Sequence, residues 1–149
     1  MNIVAHSMGG LVAREYVKNY GGSSSVNKLI MIGTPNHGIY GDIDAFCSVT
    51  GANFECAQME GESDFISSLN SGDETYGDVK HYTIAGSGCV LSGIDGDGIV
   101  RVESVKLEGA KNVVVEGECE GFWGKDFHSN LLNPNKNPKT LDYVEEFLG

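Results

Sequence analysis

Ser7 is the residue of this sequence best placed to do chemistry. It stands in Ala5-His6-Ser7-Met8-Gly9-Gly10, between an apolar run with strand character and a glycine-opened run with helix character. A serine hydroxyl becomes a useful nucleophile when a sharp strand-to-helix turn exposes it and a neighbouring base takes its proton. That turn tolerates only small residues two before and two after the serine, and Ala5 and Gly9 meet the demand. A chance Ser-Gly turn is the competing explanation; the strand before and the helix after argue against it.

An elbow of this kind works with an acid and a histidine that follow it in the order Ser, Asp or Glu, His. His6 and His37 come too early for the base, and His81 opens a strand-like run, which leaves His128. The alternative for His128 is an ordinary surface histidine with local hydrogen bonds. For the acid, the run Ile94-Asp95-Gly96-Asp97-Gly98-Ile99-Val100 offers two aspartates. Asp97 is the first choice, because flanking glycines allow a sharp turn and Ile99-Val100 then re-enters the core. Asp95 follows, and Glu103 is a distant third. The same run could be read as a calcium loop, but the later oxygen ligands and terminal glutamate of an EF-hand are missing. In this scheme Ser7 Oγ attacks an acyl carbonyl, His128 moves the proton to the leaving alcohol, and Asp97 holds the imidazole. The backbone N–H of Met8 is the expected oxyanion donor.

The elements that must position these residues are legible as short patterns. Ile3 to Ala5, Leu29 to Ile32, His81 to Ala85 and Val113 to Val115 read as buried strands, apolar without strict alternation, as in a parallel sheet covered on both faces. A first helix is expected from about Gly9 to Tyr20, stopped by Gly21-Gly22, and a last one from about Lys139 to Leu148 behind Pro138. The long stretch from Ile39 to Asp78 holds one short helical pattern, Ser63 to Leu69, which a serine or aspartate could cap. Residues 40–77 are therefore expected to form a cap or lid inserted in a single domain over residues 1–149.

Composition narrows the class. The chain has 149 residues and 40% hydrophobic residues, enough for one globular core. A formal net charge of -11 repels nucleic acid and anionic membrane surfaces, so a nucleic-acid partner is not expected. No run approaches the roughly 20 apolar residues of a membrane span. The four cysteines form no metal-binding or thioredoxin-like spacing. Two disulfides are the sharper expectation, with proximity favouring Cys47 with Cys56 and Cys89 with Cys119; buried thiols are the alternative, and disulfides would imply an extracytoplasmic setting. Phe122, Trp123 and Phe127, just before His128, are candidates for lining an acyl or leaving-group pocket, against packing within a loop.

These segments resemble bacterial and archaeal lipases and the wider α/β-hydrolase group that includes the GPI-inositol deacylase type. The resemblance is carried by residues 2–14 around the elbow, by Ile30-Met31-Ile32-Gly33-Thr34-Pro35-Asn36-His37-Gly38, by Asp97-Gly98-Ile99-Val100 and by His128-Ser129-Asn130-Leu131-Leu132. It implies an α/β fold, a partial α/β-hydrolase fold with a mostly parallel sheet of about four strands, flanking helices and a lid-like insertion. It further implies a serine hydrolase acting on carboxylic esters, with a small-molecule or lipid ester as substrate and no cofactor. Some relatives bind calcium through an aspartate two residues after the histidine; Asn130 stands there, so no metal is carried over.

In these families the elbow follows the first half of the sheet, which supplies a second oxyanion donor, whereas Ser7 lies almost at the start of this sequence. The expectation is a catalytic portion whose first strand forms one edge of the sheet and which pairs with a missing N-terminal portion. The alternative function is a non-catalytic or split-protein fragment acting as a binding or assembly module.

Overall fold

In a computed structural model the structure describes residues 1–39, 53–90, 93–120 and 125–149. The β-branched runs become four strands, β1 (Asn2–His6), β2 (Lys28–Ile32), β3 (Lys80–Ser87) and β4 (Lys111–Glu116). They form one sheet in the order β1-β2-β3-β4, every pair parallel. Sequential parallel neighbours need a crossover each time, and the intervening chain supplies it.

Side chains alternate between the faces of a strand, so a central parallel strand must be apolar at every position. β2 shows this directly: Leu29, Ile30 and Met31 are wholly buried and Ile32 nearly so. Leu29 and Met31 pack with Ala13, Val17, Val26 and Leu107 on one face; Ile30 and Ile32 pack with Ile84, Val115, Phe127 and Phe147 on the other. Each such side chain contributes about 1.5–3 kcal/mol when fully buried. β1 is an edge strand, and its Val4, level with Ile30 in the register, is 46% exposed.

Helix α1 (Met8–Asn19) covers the first face, burying Leu11, Ala13, Arg14 and Val17. It ends at Tyr20, and Gly21 follows at φ 78°, a left-handed conformation that glycine adopts without a Cβ penalty. The last helix, α6 (Pro138–Leu148), covers the second face through Phe147. Pro138 suits its first turn, where an N–H has no partner to lose. Lys28 Nζ donates to the oxygens of Phe147 and Leu148 and so fastens its end to the foot of β2.

Four shorter α-helices, α2 (Asn53–Gln58), α3 (Asp64–Asn70), α4 (Val102–Val105) and α5 (Lys125–Asn130), and a 3-10 turn at Gly22–Ser24 complete the described chain. Ser63 caps α3, its hydroxyl accepting from the Ile66 N–H at 3.2 Å. The stretch expected to hold one helix therefore holds two among the described residues. Its described part docks on α1: Ile66, Leu69, Met59 and Cys56 form a small core with Leu11 and Ile39. Arg14, buried, reaches the main-chain oxygens of Leu69 and Glu74 and the Asn70 side chain. Burial lowers its pKa to about 10, opposed by the charge of Glu74, so the guanidinium stays charged at neutral pH.

Cys89 and Cys119 form a disulfide, one of the two expected pairings. Cys56 is also disulfide-bonded; Cys47, its expected partner, lies outside the described residues, as do residues 40–52 of the expected cap. No described helix is long and apolar enough to cross a membrane.

Candidate active site

Ser7 sits between β1 and α1 at φ 52°, ψ -131°, the one non-glycine residue at positive φ among the described residues. An L-residue held there is strained by about 1–3 kcal/mol and needs surrounding structure to keep it. Two main-chain bonds do so: the Ser7 N–H donates to Ile32 O at 2.9 Å, and Ser7 O accepts from the Gly10 N–H at 3.0 Å. Met8 is the first residue of α1, where an N–H has no intrahelical acceptor and the helix dipole favours negative charge.

The steric demand of the turn falls differently from the motif. A Cβ added to Gly9 would lie 3.9 Å from that of Ala5, an ordinary contact, so alanine would fit and only larger groups would collide. Gly10 is the tight position, where a Cβ would stand 2.1 Å from Thr34 Oγ1.

Asp97 and His128 meet each other directly. Asp97 is fully buried, and its Oδ2 lies 2.6 Å from His128 Nδ1. A carboxylate can only accept, so Nδ1 carries the proton. The other carboxylate oxygen, Oδ1, accepts from the N–H groups of Ile99 at 3.0 Å and Val100 at 2.7 Å. That is the sharp turn expected from the flanking glycines, closed by the carboxylate itself. His128 is buried, and among the described residues its Nε2 has no hydrogen-bond partner, Ser7 Oγ included.

Asp95, two residues away, is engaged elsewhere. Its carboxylate accepts from Ser87 Oγ at 2.5 Å and the Gly88 N–H at 2.9 Å. These bonds, Ser87 first, hold its pKa below the ordinary value. Glu103 is an exposed partner of Lys106. His37 pairs with Glu74 at 2.6 Å, and His81 is buried with Nδ1 on Val79 O at 2.8 Å. Of the sequence candidates, the structure brings together Asp97 and His128, with His6 against the His128 ring at 4.6 Å between centroids.

Ser7 and His128 adjoin the same end of β2. Ile32 accepts from Ser7, and the next residue, Gly33, lies beneath the pair: its Cβ would fall 3.1 Å from both Asp97 Oδ2 and His128 Cε1. Gly86 clears the other side, where a Cβ would stand 2.7 Å from that of Asp97. Neither glycine was expected to matter; a glycine ending one strand and another inside the next were the available signals. His128 sits on α5, between β4 and the last helix.

Phe127 is 1% exposed and packs in the core beneath α6, where it also borders a cavity of about 300 Å³ beside Glu116, Asn130 and Lys136. Phe122 and Trp123 lie outside the described residues. Asn130, at the position that prompted the calcium comparison, donates to Glu120 at 2.9 Å. Among the described residues no three His, Cys, Asp or Glu side chains cluster as metal ligands.

A parallel sheet crossed by flanking helices, with a serine on a strained strand-to-helix turn, defines part of an α/β hydrolase. The chain belongs to the family described as alpha/beta hydrolase of unknown function (DUF915), whose model matches residues 1–148. Its fold is similar to that of the mature lipase BlEst2 of Bacillus licheniformis, with a TM-score of 0.65 at 17% identity over 91% of this chain and 63% of that one. It is also similar to phospholipase PlaB of Legionella pneumophila, with a TM-score of 0.56, 20% identity, and coverage of 70% and 28%. For Aspergillus fumigatus lipase B the values are 0.52, 17%, 80% and 29%. The chain thus spans less than two thirds of the length of these proteins. No curated protein matches it.

Proposed function

We propose that this chain carries the catalytic apparatus of a serine hydrolase that cleaves carboxylic esters, small-molecule or lipid, through Ser7, His128 and Asp97. The observation that carries the reading is the state of His128: buried, with Nδ1 fixed on Asp97 and Nε2 unpartnered, at the end of β2 that also binds the Ser7 backbone. A buried imidazole nitrogen without a partner is costly unless it has a use. With Nδ1 protonated, Nε2 is the free base that can take a proton from Ser7 Oγ as the hydroxyl attacks the acyl carbonyl. The alkoxide of the tetrahedral intermediate would face the Met8 N–H. His128 then returns the proton to the leaving alcohol, leaving an acyl-Ser7, and water attacks by the same steps. The described lipase and phospholipase neighbours support the substrate class.

Residues 40–77 fit the role of a cap within one catalytic domain. Trimming them is expected to change ester preference more than fold.

A second reading draws on the open edge of β1 and its exposed Val4. On that reading the fold is a binding or assembly module that pairs along this edge with an N-terminal portion. A fluorophosphonate probe separates the two. Covalent labelling of Ser7, abolished in Ser7→Ala because the hydroxyl that bears the label is gone, supports the hydrolase. A folded chain that resists the probe supports the module.

A further inference from the structure

His6 has no part in the proton path above, yet it touches His128 twice. The two rings lie 4.6 Å apart at a 39° tilt, and His6 Nε2 is 3.1 Å from the main-chain oxygen of His128. A carbonyl only accepts, so Nε2 of His6 carries the proton and donates. The tautomer of His6 is thereby fixed, with Nδ1 bare.

The core packing of Phe127 and Leu131 anchors the helix that carries His128, and the bond to Asp97 holds one nitrogen of its ring. His6 supplies a second point of contact, and it is covalently joined to Ser7. One peptide unit therefore connects the nucleophile to a side chain that grips both the ring and the backbone of the base. We propose that His6 is a positioning residue that sets the spacing between Ser7 and His128, resting on the reading of those two as the reacting pair.

The electrostatics are compatible with that role. Burial lowers the pKa of His6, and the charge of His128 lowers it further, while the bond to the His128 carbonyl and the charge of Asp97 oppose the shift. Those two side chains are the charged groups that act on it. A neutral His6 can remain stacked when His128 becomes an imidazolium during acyl transfer; a charged one would repel it.

The test compares His6→Phe, which keeps a ring and loses the donor, with His6→Gln, which keeps a donor and loses the ring. The rate of Ser7 labelling by a fluorophosphonate is measured for the full chain and both variants, and the His6 ring titration is followed by NMR in the parent and in His128→Ala. His6→Phe is expected to label about tenfold more slowly, as for a sub-ångström misplacement of a base. His6→Gln is expected to recover to within about threefold of the parent. In His128→Ala the His6 midpoint should move up, because the burial and the repulsion that the His128 ring imposes are removed while the carbonyl at position 128 stays. Equal rates in all three forms, equal losses in both variants, or an unmoved His6 midpoint would each overturn the role. The last readout needs no change at His6, so it tests the His6–His128 contact on which the role depends even if the His6 variants do not fold. A parent that does not label at all overturns the reading of Ser7 and this inference together; a parent that labels while the His6 readouts stay flat overturns the inference alone.

Discussion

The elbow and the Asp97–His128 pair reach the same end of β2 by opposite routes. Ser7 is placed by its own backbone, through one strained residue and main-chain bonds to Ile32 and Gly10. Asp97 and His128 are 31 residues apart in sequence, on a turn and a short helix, and are placed by side chains nested between two glycines. Damage to the first should register mainly as lost stability, because the fold itself holds the strain. Conservative changes in the second that keep the turn closed by Asp97 Oδ1 should register mainly as lost rate.

The aspartates test this contrast most strongly. Asp97→Asn is expected to lower turnover or labelling by roughly 10⁴, since an amide favours the wrong imidazole tautomer. Asp95→Asn, whose carboxylate serves Ser87 and Gly88, should cost less than about tenfold. Equal losses, read by the same labelling assay, would break the assignment of the acid.

Two glycine substitutions sharpen it. Gly33→Ala presses a methyl group to 3.1 Å from Asp97 Oδ2 and His128 Cε1 at a φ of 55° and should slow the reaction about 10- to 100-fold. Gly10→Ala meets Thr34, whose own Cβ would lie 2.8 Å away, and should lose about 1–3 kcal/mol in denaturant unfolding with a smaller change in rate per folded molecule. The comparison fails if Gly10→Ala proves the worse for rate and Gly33→Ala the worse for stability.

Relief of strain at the elbow gives a smaller effect of opposite sign. Ser7→Gly should gain about 1 kcal/mol while abolishing labelling, because glycine tolerates φ 52°. A loss of stability would show that Ser7 is not strained.

The smallest effect expected is on pH dependence. Burial, the leading cause in both, lowers the pKa of His6 and of His81 below 6.5, so the folded state binds fewer protons than the unfolded one. Their stability contribution is present above pH 6.5 and is lost as pH falls through the lowered folded values. Unfolding midpoints at pH 7.5 and 5.5 should differ in that direction, less so in His81→Asn. A midpoint that rises on acidification would count against both histidines.

What could be read in the sequence follows the same division. The four strands and both long helices were legible to within a few residues, because apolar runs bounded by glycine and proline are local signals. So was the Ser63 cap. The helices α2, α4 and α5 were not, since four to six residues carry no helical period. Of the site, the serine turn is a short-range motif, whereas the choice of His128 and Asp97 rested on chain order. Gly33, Gly86 and His6 were beyond reach, because what they clear or touch is set by packing among three separate strands.

The Cys89–Cys119 bond has its consequence in a state the native fold does not display. It spans 30 residues, and closing a loop of that size removes conformational entropy from the denatured chain worth about 3–4 kcal/mol. Asp97 lies inside that loop and His128 a short step beyond it. An unfolded molecule with the bond intact therefore keeps the two residues within a small search volume, and the acid–base contact of the proposed triad becomes, for the refolding chain, almost a local one.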